Sequence, residues 1–283
     1  MTNRVFITKA NGLKERFDPE KLEASLARAG ASTSVIEKVV AHVTEELKEG
    51  MTTEAIYSHA FFLLKKFEKP VVSRYSLKRA VMELGPTGFP FEHFIAEILK
   101  ARGYEAKTNQ LAEGHCVSHE IDIVAWNDTT FIMAEAKFHN ALGLKSDVKI
   151  ALYIKARFDD LRAKSFHYGG RERRLDQFWL VTNTKFTEQA VRFGECAGIH
   201  LVGWNYPARG NLHDLIDDSG SHPLTCLTTI SQHDKHALFE KNIVLCRTVR
   251  ENPDILRALG YKQDKIDLVI KESELLCEPR AML

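Results

Sequence analysis

The chain has 283 residues, enough for two or three domains, and its 44% hydrophobic and 27% charged residues are ordinary for a folded protein. Thirty-nine lysines and arginines against 38 aspartates and glutamates leave a net charge of +1, so no bulk charge advertises a polyanionic partner. No stretch approaches the roughly 18 apolar residues of a membrane span, and Met1-Thr2-Asn3-Arg4 does not open a signal peptide, so a cytoplasmic protein without a membrane partner is expected. Cys116, Cys196, Cys226, Cys246 and Cys277 are odd in number and widely spaced, with no CxxC pair. That pattern argues for a reducing compartment and against structural zinc.

Taken in chain order, Arg4-Val5-Phe6-Ile7-Thr8 reads as a strand, Asn11-Gly12 as a turn, and Lys14-Glu15-Arg16-Phe17 as the return of a hairpin. Asp18-Pro19 then caps a helix to about Ala29, with aspartate at the N-cap and proline at the first helical position. Gly30 ends it. A second helix is expected near Thr33–Lys48, a third from Thr52 or Thr53 to about Phe67, and a fourth after Pro70, centred on Tyr75–Met82. VFITKANGLKERFDPEKLEASLARAG, GMTTEAIYSHAFFLLKK and RYSLKRAVMEL together resemble the ATP-cone found in ribonucleotide reductases and in the transcriptional repressor of their genes. The resemblance spans residues 3–84 and implies a site for ATP or dATP as a sensed ligand. In it Ile7, Glu15, Phe17 and Lys21 would contact purine and ribose, Lys9 and Lys21 the phosphates, and Thr53 would lie at the helix end beside the nucleotide. Two ammonium groups and a helix N-terminus form an anion site without a P-loop. Ala10 departs from the pattern, because many relatives carry a second cation there. A cone kept only for docking or oligomerisation is the alternative.

Gly85-Pro86-Thr87-Gly88-Phe89-Pro90 reads as a linker, placed at 86–90, and FEHFIAEILKARGYEAK as a helix. Glu120–Trp126 alternates as a strand, Asn127-Asp128 turns, and a second strand from Thr130 ends in Glu135-Ala136-Lys137. Side chains at i and i+2 share a strand face, so Glu135 and Lys137 project together, and pairing can bring Asp122 beside them. Clustered carboxylates resist ionisation unless a cation joins them. Magnesium takes oxygen ligands, so two carboxylates plus a substrate phosphate suit it. On the triplet alone a solvated charge pair is the commoner outcome; the upstream aspartate shifts that balance.

These residues, with the preceding helix and the strand-helix-strand run DQFWLVTNTKFTEQAVRFGECAGIHLVGWNYP, resemble the Mrr-like restriction endonuclease branch of the PD-(D/E)xK nuclease superfamily over about residues 88–207. In that run strands are expected at Phe178–Thr182 and His200–Trp204, with a helix from about Thr187 to Cys196 between them. The resemblance implies a metal-dependent deoxyribonuclease using Mg2+ or Mn2+. Asp122, Glu135 and Glu92 would hold the metal, and Lys137 would assist the attacking water. Ile121 stands where the motif has proline, Glu135 where many relatives of this branch have glutamine, and Glu92 could be an ordinary helix charge.

The basic run Lys155, Arg157, Arg162, Lys164, Arg171, Arg173 and Arg174 follows the triplet and reads as phosphate contacts, a solvated helix face being the alternative. His115, His119 and His139 flank the triplet without metal-ligand spacing; Trp126, Trp179 and Trp204 are expected in the core. From 211 to 283 the chain reads as helical, with Ser231 and Asn252-Pro253-Asp254 opening helices, and a role in packing or dimerisation.

The expected architecture is therefore mixed α+β and α/β. A hairpin-plus-four-helix ATP-cone at 1–85 leads through the linker to a nuclease domain with a central mixed sheet at 91–207, and then to a helical domain at 211–283. DNA and ATP or dATP are the expected partners, with a homo-oligomer through the cone or the C-terminal helices. The competing reading is a non-catalytic, nucleotide-responsive DNA-binding regulator.

Overall fold

The computed structural model describes residues 5–10, 12–67, 71–72 and 75–277; Arg4, Asn11 and Pro70 of the expected N-terminal elements lie outside them. The chain divides into two compact units. One comprises residues 1–79 with 141–143, and the other residues 80–140 with 144–283.

In the first unit, β1 (Phe6–Thr8) and β2 (Lys14–Arg16) pair antiparallel with Ile7 opposite Glu15. The segment after the second helix runs beside β1, because Gly50 N–H donates to the Phe6 carbonyl (2.8 Å) and Thr8 N–H to the Met51 carbonyl (3.0 Å). Helix α1 (Pro19–Arg28) starts where Asp18 accepts from the Glu20 N–H, satisfying a donor the first turn leaves orphaned. Helix α2 spans Thr33–Glu45 and stops short of the expected Lys48. Helix α3 spans Thr53–Phe67, and the Thr52 hydroxyl accepts the Ala55 N–H at its start (3.1 Å). Leu22 and Leu26 of α1 meet Val35, Val39, Val40 and Val43 of α2 and Ile56, Ala60, Leu63 and Leu64 of α3 in one apolar core. That burial, a few kcal/mol per large side chain at about 25 cal/mol per Å2, closes the three helices over the hairpin. Helix α4 (Leu77–Met82) straddles the boundary between the units.

The second unit is built on a five-stranded sheet. β3 (Glu105–Glu113), β4 (Ser118–Trp126) and β5 (Phe131–Lys137) form an antiparallel meander. β9 (Gln177–Thr182) and β11 (His200–Val202) add parallel strands in the order β11-β9-β5-β4-β3. Shorter pairs lie outside that sheet: β6 (Lys145–Ser146) with β10 (Lys185–Phe186), and the hairpin of β7 (Ser165–Tyr168) with β8 (Arg171–Arg174). Helix α5 (Phe89–Ala101) buries Phe91, Phe94, Ile95, Ile98 and Leu99. Helices α6 (Val148–Arg162) and α7 (Glu188–Ala197) contribute Ala151, Ile154, Leu161 and Ala190 to a core with Met133, Phe178, Leu180 and Leu201 from the sheet. Gly194 of α7 lies so close to Leu201 that an added Cβ would meet its side chain at 2.6 Å. The buried Trp126, Trp179 and Trp204 sit in strands or just beyond them, as expected.

Two readings change here. The segment read as one helix from Phe91 to Lys107 stops at Ala101, because Gly103 takes a left-handed conformation (φ +86°) and the chain then enters β3. Four residues of the basic run are also already engaged within the protein. Lys155 pairs with Asp159 (2.5 Å), Arg157 is buried, Arg171 donates to the Asp128 carbonyl, and Arg173 donates to the Tyr168 and Asn127 carbonyls (2.9 and 2.7 Å).

The C-terminal part is helical: α8 (Leu212–Ser219), α9 (Gln232–Phe239), α10 (Cys246–Glu251), α11 (Asp254–Ala258) and α12 (Gln263–Cys277). Ser231 caps α9 by accepting the Asp234 N–H (3.1 Å). These helices belong to the same compact unit as the sheet; Thr225 donates to the Ala80 carbonyl (2.5 Å) and Arg247 to the Glu97 carbonyl (3.4 Å). No helix among the described residues is long and apolar enough to cross a membrane.

Candidate functional site

Register places the acidic residues. The last pair of the β4–β5 ladder is Ile123 with Ala134, so one further step sets Asp122 opposite Glu135. The Asp122 carboxylate accepts the Ala136 N–H (2.8 Å), midway between Glu135 and Lys137. On its other side β4 pairs with β3 through Ile123–Thr108 and Ile121–Gln110, leaving Asp122 level with Asn109, whose φ of +53° is a left-handed kink. The strand thus loosens where its aspartate turns toward the neighbouring strand. Lys137, two residues beyond Glu135, is exposed.

Burial and mutual repulsion dominate the electrostatics. Burial, then the negative charges of Asp122, Glu135 and Glu120, push the Glu92 carboxyl up to about 7. Burial also raises the Asp122 carboxyl, opposed by the Ala136 N–H and the Arg157 guanidinium. Burial and then Asp122 raise that of Glu135, which Arg157 and Lys137 pull back down. The Glu92 Oε2 is buried without a hydrogen-bond partner. An unsatisfied, partly ionised buried oxygen costs free energy unless a cation or proton meets it.

Arg157 is the residue that sequence reasoning placed elsewhere. It donates from α6 to the Glu135 Oε2 (2.5 Å) and to the Glu120 carbonyl, and it is 7% exposed. It falls on the buried stripe of α6, three residues after Ile154 and four before Leu161, and a cation on an apolar stripe was the available signal. Glu92, Asp122 and Glu135 do not bring one ligand atom each within 4.8 Å of one another. The donor set is nonetheless all carboxylate oxygen, short of positive charge, with one orphaned atom. It fits a hard divalent cation that keeps several waters.

Two of the flanking histidines, His119 and His139, have other partners. His119 lies 2.7 Å from Asp160, whose carboxyl is held well below its usual range by that contact. His139 Nε2 lies 3.0 Å from the Ser146 hydroxyl.

In the first unit, Ile7, Glu15, Phe17, Lys21 and Thr53 line one cavity of about 250 Å3, together with Asp18, Tyr57 and Tyr75. Lys9 is not among its lining residues but lies 2.5 Å from the Glu15 carboxylate, and Lys21 lies 3.3 Å from the same oxygen. The hydrogen bond from Lys9 leads in holding Glu15 below its ordinary range. Tyr57 and Tyr75 stack at 5.0 Å, with Arg79 over the Tyr57 ring at 3.6 Å. Eighteen residues apart in sequence, the two tyrosines gave no signal of meeting.

Comparison with known proteins agrees with a restriction-endonuclease-like domain built on this sheet. The family model described as Restriction endonuclease matches residues 86–205, and that described as AF1548-like, C-terminal matches residues 222–277. Both matches lie beyond residue 85. A curated "Uncharacterized protein" of Archaeoglobus fulgidus is 36% identical over 181 residues, 64% of this chain and 98% of that protein. A solved structure titled "Crystal Structure of Protein of Unknown Function AF1548" superimposes with a TM-score of 0.54 at 34% identity, covering 68% of this chain and 98% of that one.

Proposed function

We propose a function for this chain, which belongs to the AF1548-like family: metal-dependent hydrolysis of DNA phosphodiester bonds by the domain at 86–205, with ATP or dATP as a regulatory ligand of the N-terminal unit. The observation that carries it is the acid cluster of Glu92, Asp122 and Glu135, whose carboxyls are all pushed above their ordinary range. These three would hold Mg2+ or Mn2+ through oxygen atoms. When bound, such a cation supplies positive charge against the phosphoryl oxygens and makes water a better nucleophile at neutral pH. Asp122 is oriented by the Ala136 N–H and Glu135 by Arg157, a positioning residue that also pulls the raised Glu135 carboxyl back down. Lys137, on the strand face of Glu135, would orient the attacking water or offset charge growing on the scissile phosphate.

The regulatory part rests on the cavity beneath the hairpin. Its aromatic lining suits a purine and ribose, and Lys9 and Lys21 at Glu15 suit the phosphates. The domain limits 1–85, 91–207 and 211–283, and self-association through the first or the last of these, belong to the same proposal. Sedimentation with and without ATP would read the self-association.

One observation favours the second reading, a nucleotide-responsive DNA-binding regulator: Arg157 already engages Glu135. The two readings part in plasmid cleavage with Mg2+ or Mn2+, with and without ATP, by wild type, Asp122→Ala and Lys137→Ala. Metal-dependent cutting lost in both variants is expected. No cutting of unmodified or modified DNA by folded protein would favour the regulator. Identical rates and assembly with and without nucleotide would sink the regulatory part.

A further inference from the structure

A third cluster lies in the first unit and takes no part in either proposed site. Helix α2 carries His42, Glu46 follows it one turn later just past the helix end, and α3 carries His59. Positions i and i+4 share a helix face, so His42 and Glu46 stand one above the other. His42 Nε2 lies 3.4 Å from one Glu46 oxygen and His59 Nε2 lies 3.4 Å from the other. One ligand atom from each of the three residues falls within 4.8 Å of the other two.

We propose that His42, Glu46 and His59 form a transition-metal site of the zinc class that joins α2 to α3. The 3.4 Å separations are longer than the roughly 2.7–2.9 Å of a charge-assisted hydrogen bond, so the side chains are not placed to satisfy one another fully. Each separation has the length of a coordination-tetrahedron edge, although the two end on different Glu46 oxygens, so the carboxylate must turn to offer a single ligand atom to both imidazoles. Ligand atoms about 2.0–2.1 Å from a tetrahedral ion lie about 3.4 Å apart, and two imidazoles so bound have ring centres about 5 Å apart. The His42 and His59 centroids are 5.2 Å apart with the rings inclined at 69°.

The donor set selects the ion. Two imidazoles and one carboxylate suit zinc and its first-row neighbours, while Mg2+ prefers an all-oxygen shell. Three protein ligands leave a fourth position open to water or an exogenous group, as in zinc sites that are not purely structural. His42 and Glu46 are 45% and 55% exposed and His59 is 21% exposed, so an ion has a path in and the site needs no refolding to load. The acid cluster and this one would therefore divide hard from borderline cations within one chain.

Cobalt(II) titration of the full chain tests this, with visible absorption reporting tetrahedral coordination and Zn2+ added as competitor. Wild type and Asp122→Ala are expected to bind one equivalent in a tetrahedral-type spectrum that Zn2+ abolishes. His42→Ala and His59→Ala should lose that spectrum while keeping the wild-type circular dichroism. Zn2+ should raise the melting temperature of the wild type more than that of His59→Ala, whereas any rise with Mg2+, which would act at the acid cluster, should be the same in both. No tetrahedral band in the wild type at millimolar Co2+, a band that survives in both histidine variants, or a band lost in Asp122→Ala would overturn the proposal.

Discussion

Glu15 and Glu92 are both half-buried glutamates at proposed ligand sites, yet their carboxyls move in opposite directions. Glu15 sits below its ordinary range, held by Lys9 and Lys21. Glu92 sits well above it, raised by burial and by three neighbouring carboxylates, with one oxygen unpaired. A carboxylate neutralised by its own protein has little to gain from a cation. One left short of positive charge gains much, because a divalent ion offsets both desolvation and like-charge repulsion. The converse holds for the lysines: a nucleotide phosphate must compete with Glu15 for Lys9 and Lys21. Ligand effects should therefore be large at the sheet and modest beneath the hairpin.

The sharpest way to break that contrast is Asp122→Ala. Removing a carboxylate proposed to hold the metal is expected to cost on the order of 1,000-fold in cleavage rate, with melting temperature little changed. A variant that still cuts within a factor of about 10 would move the chemistry elsewhere. Next comes Arg157→Ala. It strands Glu135 among acids and should cost about 3 kcal/mol of stability, read by denaturant unfolding. Mg2+ should restore more of that stability than it adds to wild type. Equal stability in the two proteins would mean that Arg157 is not the internal counter-charge.

Glu92 gives the pH signature. Its carboxyl is raised from 4.5 to about 7, so between those values the folded protein holds a proton that the unfolded chain has lost. Its contribution to stability is thus complete below about pH 4.5 and is lost as pH rises through about 7. Glu92→Gln should flatten that fall and gain on the order of 1 kcal/mol at pH 8, after allowance for solvent screening, with no gain at pH 4. The same variant should weaken Mg2+ binding. A variant less stable than wild type at pH 8 would argue that Glu92 is satisfied as an anion. The smallest effect belongs to the first unit: Lys21→Ala should weaken ATP binding by about 10-fold or less, measured by calorimetry, because an exposed ion pair is worth little. Unchanged affinity would place the phosphates away from Lys21.

Much of this arrangement was written locally. Asp18-Pro19 starts α1, Thr187 caps α7 by accepting the Ala190 N–H, and the Asn127 side chain closes the turn between β4 and β5. Those signals depend on a few adjacent residues, and strand alternation then implied that Asp122 and Glu135 could meet. What escaped depends on distance along the chain. Arg157 reaches Glu135 across 22 residues, from a helix whose basic neighbours made it look like one more surface cation. β3 was hidden because Gly103 breaks the helix and the strand beyond it, though alternating in burial, carries few apolar residues in EAKTNQLAE to signal that alternation. Tyr57 meets Tyr75 only after the helices fold back, and His59 meets His42 and Glu46 in the same way.

The measurement that bears most directly on the central claim is the ionisation of Glu92 in the folded wild type, followed by its side-chain carboxyl resonance with and without saturating Mg2+. A carboxyl that titrates near 7 without the cation, and well below its ordinary range with it, is the result expected of an acid cluster built for a metal. The cation-induced drop should vanish in Asp122→Ala. A carboxyl indifferent to Mg2+ and to Mn2+ would contradict the account, whatever the protein's effect on DNA.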